Sequence, residues 1–167
     1  MSTRIFVSTS IPYVNGAPHI GYALEAVQAD ALVRWHRMNG RDVYFLSGTD
    51  ENAMKNVESA EKQGVTVQEL VDRNSAAFFR LKDSLNLSFD QFIRTSSEKH
   101  RLGAQKFWES CLSNNPDDIY KKDYTGLYCV GCETFYKDGE FPGNVCPLHN
   151  RPLEKVTETN YFFRLSK

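Results

Sequence analysis

Arg4-Ile-Phe-Val-Ser-Thr-Ser10 and Asp42-Val-Tyr-Phe-Leu-Ser47 frame the first fifty residues. Each is short, apolar and rich in β-branched or aromatic side chains, the pattern of a buried strand. Between them lies a loop with two prolines and a glycine, Ile11-Pro-Tyr-Val-Asn-Gly-Ala-Pro18. Pro18 suits the first turn of a helix, because its φ is already fixed there. From His19 apolar residues recur at threes and fours: Ile20, Leu24, Val27, Ala31, Trp35 and Met38. That spacing predicts a helix ended by Gly40, with the Leu24, Val27 and Trp35 stripe in the core. Gly48-Thr49-Asp50 turns the chain, and Ala53, Met54, Val57 and Ala60 mark a second helix ending at Gly64. Strand, loop, helix, strand, loop, helix is the order of an α/β fold with parallel strands and right-handed crossovers.

Outward from that unit, Thr66-Val-Gln-Glu69 reads as a capping box before Leu70, Val71, Ala77, Phe78 and Leu81. Phe89–Ile93 is a candidate third strand. Thr95-Ser-Ser-Glu98 repeats the capping signature ahead of a helix to about Leu112. Asn114-Asn-Pro-Asp-Asp118 then breaks the chain. The composition changes beyond it, so a boundary is expected near 116. The expected division is a Rossmann-like half-domain over 1–116, a small knuckle insert over 117–157 and a return segment over 158–167.

Lys and Arg total 20 against 21 Asp and Glu, a formal net charge of −1. That balance excludes general attraction to phosphate backbones or acidic membranes and leaves room for a local basic groove. Apolar residues at 41% suffice for a packed core and exceed what a disordered chain carries. The N-terminus runs straight into a strand-like segment, so no secretory signal is expected. The long uncharged stretch from Ile5 to Leu24 is interrupted by Pro12, Gly16, Pro18 and Gly21, so it does not form a membrane helix. These features predict a soluble cytoplasmic protein with no membrane partner.

Cys129-Val-Gly-Cys132 and Cys146-Pro-Leu-His149 are two pairs of metal-ligand residues, each with two residues between its members. Each pair can turn back on one ion, and three sulfurs with one imidazole make a closed tetrahedral set, the donor pattern of structural zinc. A segment of roughly forty residues builds little core of its own, and a metal takes its place. The competing accounts are four unrelated residues, or a disulfide, which belongs to oxidising compartments. Cys111 stands apart and reads as a small buried hydrophobe.

The segment Pro18-His19-Ile20-Gly21-Tyr22 falls at a helix start after the first strand. A helix N-terminus offers free N–H groups and a positive dipole end, and a histidine there can donate to phosphate. Gly21 lets a flat base approach the backbone. Both this segment and Asp50 follow the carboxyl ends of adjacent parallel strands, where open α/β sheets bind ligands. Asp50 has two readings, a helix N-cap or a partner for a ligand cation. Glu25 reads as part of a solvated helix face.

Taken together, these residues resemble the methionyl-tRNA synthetase family of class I aminoacyl-tRNA synthetases. The resemblance runs through Ile11-Pro-Tyr-Val-Asn-Gly16, Pro18-His-Ile-Gly-Tyr22, Gln28-Ala-Asp30, Arg34-Trp-His-Arg37, Phe45-Leu-Ser-Gly-Thr-Asp50, Tyr124-Thr-Gly-Leu-Tyr-Cys129 and Glu158-Thr-Asn-Tyr-Phe-Phe163. It implies a Rossmann-like catalytic fold interrupted by a zinc-knuckle insert, with zinc on Cys129, Cys132, Cys146 and His149. It implies ATP-dependent activation of methionine to methionyl-adenylate, with Mg²⁺ accompanying ATP, and transfer to tRNA(Met). It assigns His19 and Tyr22 to the catalytic signature. It places Ile11, Tyr13, Asn15, Gly21, Glu25 and Asp50 around the substrates: Gly21 against adenine, Glu25 near the adenosine, Asp50 on the methionine ammonium, Ile11 and Tyr13 along the amino-acid pocket.

Three departures accompany the resemblance. Tyr22 stands where the family signature has a second histidine, and a phenol carries no positive charge at neutral pH. Glu51-Asn52-Ala53 stands where Glu-His-Gly is usual. The family's second half, with its lysine-rich signature loop, does not appear in these 167 residues, so the chain is expected to lack full activity without a C-terminal half. The alternatives are a non-catalytic zinc-knuckle module that binds tRNA or protein, and a small nucleotidyltransferase sharing the His-x-Gly element.

Overall fold

The structure is a computed structural model describing residues 4–166. It forms two compact units, one ending at Arg101 and the other beginning at Leu102.

The first unit is a parallel sheet of β1 (Arg4–Ser8), β2 (Asp42–Thr49) and β3 (Gln91–Arg94), in the order β1-β2-β3. Arg4 pairs with Asp42 and Ser8 with Leu46; Leu46 pairs with Gln91 and Thr49 with Arg94. Helix α1 (Ile20–Met38) connects the first two strands. Helices α2 (Met54–Gln63) and α3 (Val67–Ser84) lie between the second and third. The strand–helix order expected from the sequence is therefore present. Gly64, at φ 64°, closes α2 in the left-handed conformation. Thr66 and Glu69 form the expected capping box on α3.

The core of this unit joins Val43 and Phe45 of β2 to Tyr22, Ala26 and Val33 of α1, Val71 and Phe78 of α3, and Val14, Leu87 and Phe89 from the loops. Phe45 and Val33 are fully buried, and burying each such side chain contributes about 1.5–3 kcal/mol.

Two expectations are corrected here. The Leu24, Val27 and Trp35 stripe is exposed, at 58%, 44% and 53%. The face of α1 that packs inward carries Tyr22, Ala26, Asp30 and Val33 instead. Asp30 is tolerated inside because Ser88 N and Ser88 Oγ each donate to its Oδ1 at 2.6 Å and Arg34 Nε to its Oδ2 at 2.5 Å. The second correction concerns α4 (Glu98–Asn114). Thr95 does not cap it: Ser97 Oγ accepts from His100 N at 3.4 Å, and the Thr95 hydroxyl turns elsewhere.

The second unit is built on an antiparallel ribbon of β4 (Ile119–Cys129) and β8 (Glu154–Phe163), paired from Ile119–Phe163 to Tyr128–Glu154. β5 (Thr134–Tyr136) adds a third strand beside β4, and β6 (Val145–Cys146) pairs with β7 (Arg151–Pro152). Along one face Tyr120 stacks on Phe162 at 5.7 Å, and Phe135 meets Tyr124 at 5.0 Å and Tyr128 at 4.8 Å. Such cross-strand pairs hold a ribbon that is otherwise mostly solvated. The division between the units falls inside α4, whereas the sequence places it near 116, where that helix has already ended. Residues 158–163, read from sequence as a separate return segment, belong to β8, because their partners are on β4. Cys111 is half-buried, on a helix with no buried residue. No helix among the described residues is long and apolar enough to cross a membrane.

Candidate functional site

The clearest cluster is in the second unit. Cys129 closes β4, Cys132 follows its turn, Cys146 ends β6, and His149 precedes β7. Their ligand atoms all lie within 4.8 Å of one another. His149 Nδ1 is 3.2 Å from Cys132 Sγ, 3.7 Å from Cys146 Sγ and 3.9 Å from Cys129 Sγ; the Cys132 and Cys146 sulfurs are 3.5 Å apart. A tetrahedron with bonds of roughly 2.3 Å to sulfur and 2.1 Å to nitrogen has edges of about 3.6–3.8 Å, so the donors fit a single zinc-sized ion. All three thiols are free. Burial opposes ionisation of Cys146, yet hydrogen bonds from the His149 backbone and ring bring its pKa down to about 6, favouring the thiolate a metal requires. Cys129, Cys146 and Leu153 are the buried centre of this unit, with Tyr136 and Phe141 packed around them. The cluster occupies the place of a hydrophobic core.

The second site lies at the carboxyl ends of β1 and β2. His19 is the N-cap of α1, and its Nδ1 accepts from Gly21 N at 3.0 Å. An accepting Nδ1 puts the proton of the neutral ring on Nε2, which is left to donate outward. A Cβ on Gly21 would lie 2.9 Å from His19 Cε1, so the absence of a side chain at residue 21 is what lets the ring cap the helix. Glu25 is more than solvated face: Ser10 donates to its carboxylate from N at 2.5 Å and from Oγ at 2.7 Å.

Asp50 is not a helix cap. Helix α2 begins at Met54, and Ala53 supplies its N-cap position with no side-chain bond. Asp50 N donates to Pro12 O at 2.9 Å, and Asp50 forms a bridge with Tyr13. The loop after β1 therefore touches α1 through Ser10 and the end of β2 through Pro12 and Tyr13. The same loop is pinned from below: Val14 is fully buried, Asn74 Nδ2 donates to its carbonyl at 2.6 Å, and Ser59 Oγ donates to Asn15 O at 2.7 Å. Ile11 is 38% exposed, and Lys55 Nζ sits 5.1 Å from the centre of the Tyr13 ring.

Tyr22 lies beneath the ends of the first two strands. It is only 6% exposed, its ring meets Phe78 edge-on at 5.0 Å, and its hydroxyl pairs with Ser47 Oγ at 2.9 Å. Ser47 in turn pairs with Thr9 at 3.0 Å. Burial pushes the phenol pKa up. Tyr22 braces the ends of the two strands from beneath.

Sequence reading did not single out a polar network next to Asp50. The Glu51 side chain, 1% exposed, accepts from Arg94 Nε at 2.6 Å and Nη2 at 3.1 Å, and from Ser96 Oγ. Arg94 also pairs with Asp72 at 2.5 Å. Residues far apart in the chain meet here, and no local spacing announces them.

The family model described as tRNA synthetases class I (M) matches residues 5–166. The chain belongs to the class I (M) tRNA synthetases. Among relatives of this family, the methionine–tRNA ligase of Brucella suis biovar 1 is 44% identical over 167 residues, covering 98% of this chain and 32% of that protein. That of Thermotoga maritima is 42% identical over 168 residues, 98% of this chain and 26% of that protein. The solved Mycobacterium tuberculosis methionyl-tRNA synthetase in complex with methionyl-adenylate superposes with a TM-score of 0.89 at 37% identity, over 99% of this chain and 33% of that one. The chain thus spans between about a quarter and a third of the length of these class I synthetases.

Proposed function

We propose that the chain supplies the methionine- and ATP-facing part of a methionine–tRNA ligase. Asp50 takes the methionine ammonium beside Ile11 and Tyr13. His19 Nε2 and the free N–H groups at the start of α1 take the ATP phosphates. Gly21 and Glu25 border the adenosine, and Asn15 shapes the loop between them. Methionine carboxylate attacks the α-phosphate, giving methionyl-adenylate and pyrophosphate, and the adenylate then acylates tRNA(Met). The protein needs no nucleophile of its own; its task is positioning and charge stabilisation. Mg²⁺ accompanies ATP as part of the substrate. Cys129, Cys132, Cys146 and His149 hold a structural Zn²⁺ in a reducing, cytoplasmic setting. Tyr22 acts through Ser47 and Thr9 on the ends of the two strands.

The observation that carries this reading is the shared loop: residues 10–13 bond both to Glu25 on α1 and to Asp50 after β2. Calorimetric titration of methionine and ATP into the chain, alone and with a C-terminal half supplied from a relative, tests it. Binding of both ligands in the presence of the second half is expected. Failure of either to bind with that half present overturns the reading.

A further inference from the structure

We propose that Thr95 is a positioning residue that fixes the Asp50 carboxylate for an amino-group ligand, an inference that rests on the reading of Asp50 as the ammonium site. Its hydroxyl has one proton and two acceptor lone pairs. Glu51 N donates to Thr95 Oγ1 at 2.8 Å, and Asn52 Nδ2 donates to it at 3.3 Å. With both acceptor positions used, the hydroxyl proton goes to the remaining partner, Asp50 Oδ1, at 3.3 Å. Oδ1 also accepts from Asn52 N at 3.1 Å. Two donors on one oxygen restrict rotation of the carboxylate and leave the accepting capacity of Oδ2 for a ligand.

Thr95 is itself held rigidly. Its N–H donates to Thr49 O at 3.2 Å, extending the β2–β3 pairing past the last strand residue. The preceding Arg94 is gripped by Glu51 and Asp72, and Ser97 Oγ donates to Arg94 O at 2.7 Å. The Glu51–Arg94 pair therefore acts as the footing of the turn that carries Thr95. A cation-binding carboxylate discriminates best when it is oriented before the ligand arrives, because reorienting it on binding costs affinity.

Three variants test this: Thr95→Val, which keeps shape and removes the hydroxyl; Thr95→Ala, a second hydroxyl deletion in case one fails to fold; and Thr95→Ser, which keeps the hydroxyl. The first readout needs no ligand. Hydrogen exchange of the Asn52 amide, measured by NMR, is expected to accelerate about tenfold in the deletions and to stay at the original rate in Thr95→Ser. An unchanged Asn52 amide in the folded deletions overturns the proposal. The second readout compares methionine with 4-(methylthio)butanoate, its deaminated analogue, with the C-terminal half supplied. Methionine affinity is expected to fall about tenfold in the deletions and the analogue's to stay level. If methionine and the analogue bind the unaltered chain equally, the ammonium role of Asp50 fails, while the Asn52 result still decides the Thr95 clamp.

Discussion

The His149 ring occupies the space that Gly131 leaves: a Cβ on residue 131 would lie 2.6 Å from His149 Cγ and 2.7 Å from Cδ2. The first knuckle is thus shaped to admit the imidazole of the second. Gly131→Ala displaces a ring, not a flexible chain end, and that ring carries one of the four ligands. Zinc affinity is expected to fall by about 10–100-fold, the range typical of disturbed ligand support. Competition against a colorimetric chelator measures it, and equal affinity in the variant contradicts the assignment.

Removing the metal should dissolve one unit and spare the other. The buried centre of the second unit is Cys129, Cys146 and Leu153, two of them ligands. The first unit has its own aromatic and aliphatic core. Chelation is therefore expected to collapse the NMR dispersion of Tyr128, Tyr136 and Phe141 while Phe45 and Phe78 keep theirs. Dispersed Tyr136 and Phe141 signals in zinc-free protein count against a metal-built core.

Asp30 gives the first unit an acid-sensitive stability. Burial opposes its ionisation, but the Ser88 and Arg34 hydrogen bonds outweigh it and hold the folded carboxyl below its ordinary pKa. The contribution is complete above the unfolded value near 4 and is lost as pH falls through the lower folded value. Asp30→Asn is expected to cost about 1–3 kcal/mol at pH 6. By urea unfolding, the gap between variant and parent should narrow toward pH 3; a gap independent of pH defeats the argument.

Local signals carried most of the architecture. Strand Asp42–Thr49, the Gly64 stop, the Thr66–Glu69 box and the Cys/His set all depend on residues close in sequence, so spacing reveals them. The failures share one cause. Helix α1 shows its more continuous apolar stripe to solvent and turns inward a face interrupted by Asp30; Arg34, one turn on, serves one carboxylate oxygen, but the other is satisfied by Ser88, fifty-eight positions away. Thr95 carries a capping signature, yet its hydroxyl bonds to residues near 50. Periodicity cannot see partners that distant. The ribbon of β4 and β8 is largely exposed on both faces, so it lacks the alternation that marks a half-buried strand.

Tyr22 separates a catalytic role from a bracing one. Its phenol bonds to Ser47 and is shut from solvent. Tyr22→Phe keeps the ring against Phe78 and deletes one hydrogen bond, so it is expected to lower stability by about 1 kcal/mol. ATP affinity, with a C-terminal half supplied, should change less than threefold. A tenfold or larger loss with stability unchanged assigns the hydroxyl to the ligand instead.

Gly21→Ala should separate stability from binding in the opposite sense. The new methyl pushes on His19 Cε1 and Nδ1, at 2.9 and 3.0 Å, and that ring is the end of a side chain free to swing. Swinging breaks the cap bond to Gly21 N, a loss of about 1 kcal/mol. Alanine inside α1 regains a similar amount over glycine in helix propensity, also about 1 kcal/mol. The melting temperature is therefore expected to stay nearly level. The same swing turns Nε2 away from its outward course, so ATP affinity should fall toward that of His19→Ala. Thermal unfolding and calorimetric titration on both variants check the pair of outcomes. If Gly21→Ala binds ATP as tightly as the parent, the orientation set by the cap is irrelevant to phosphate, and His19 serves the helix alone.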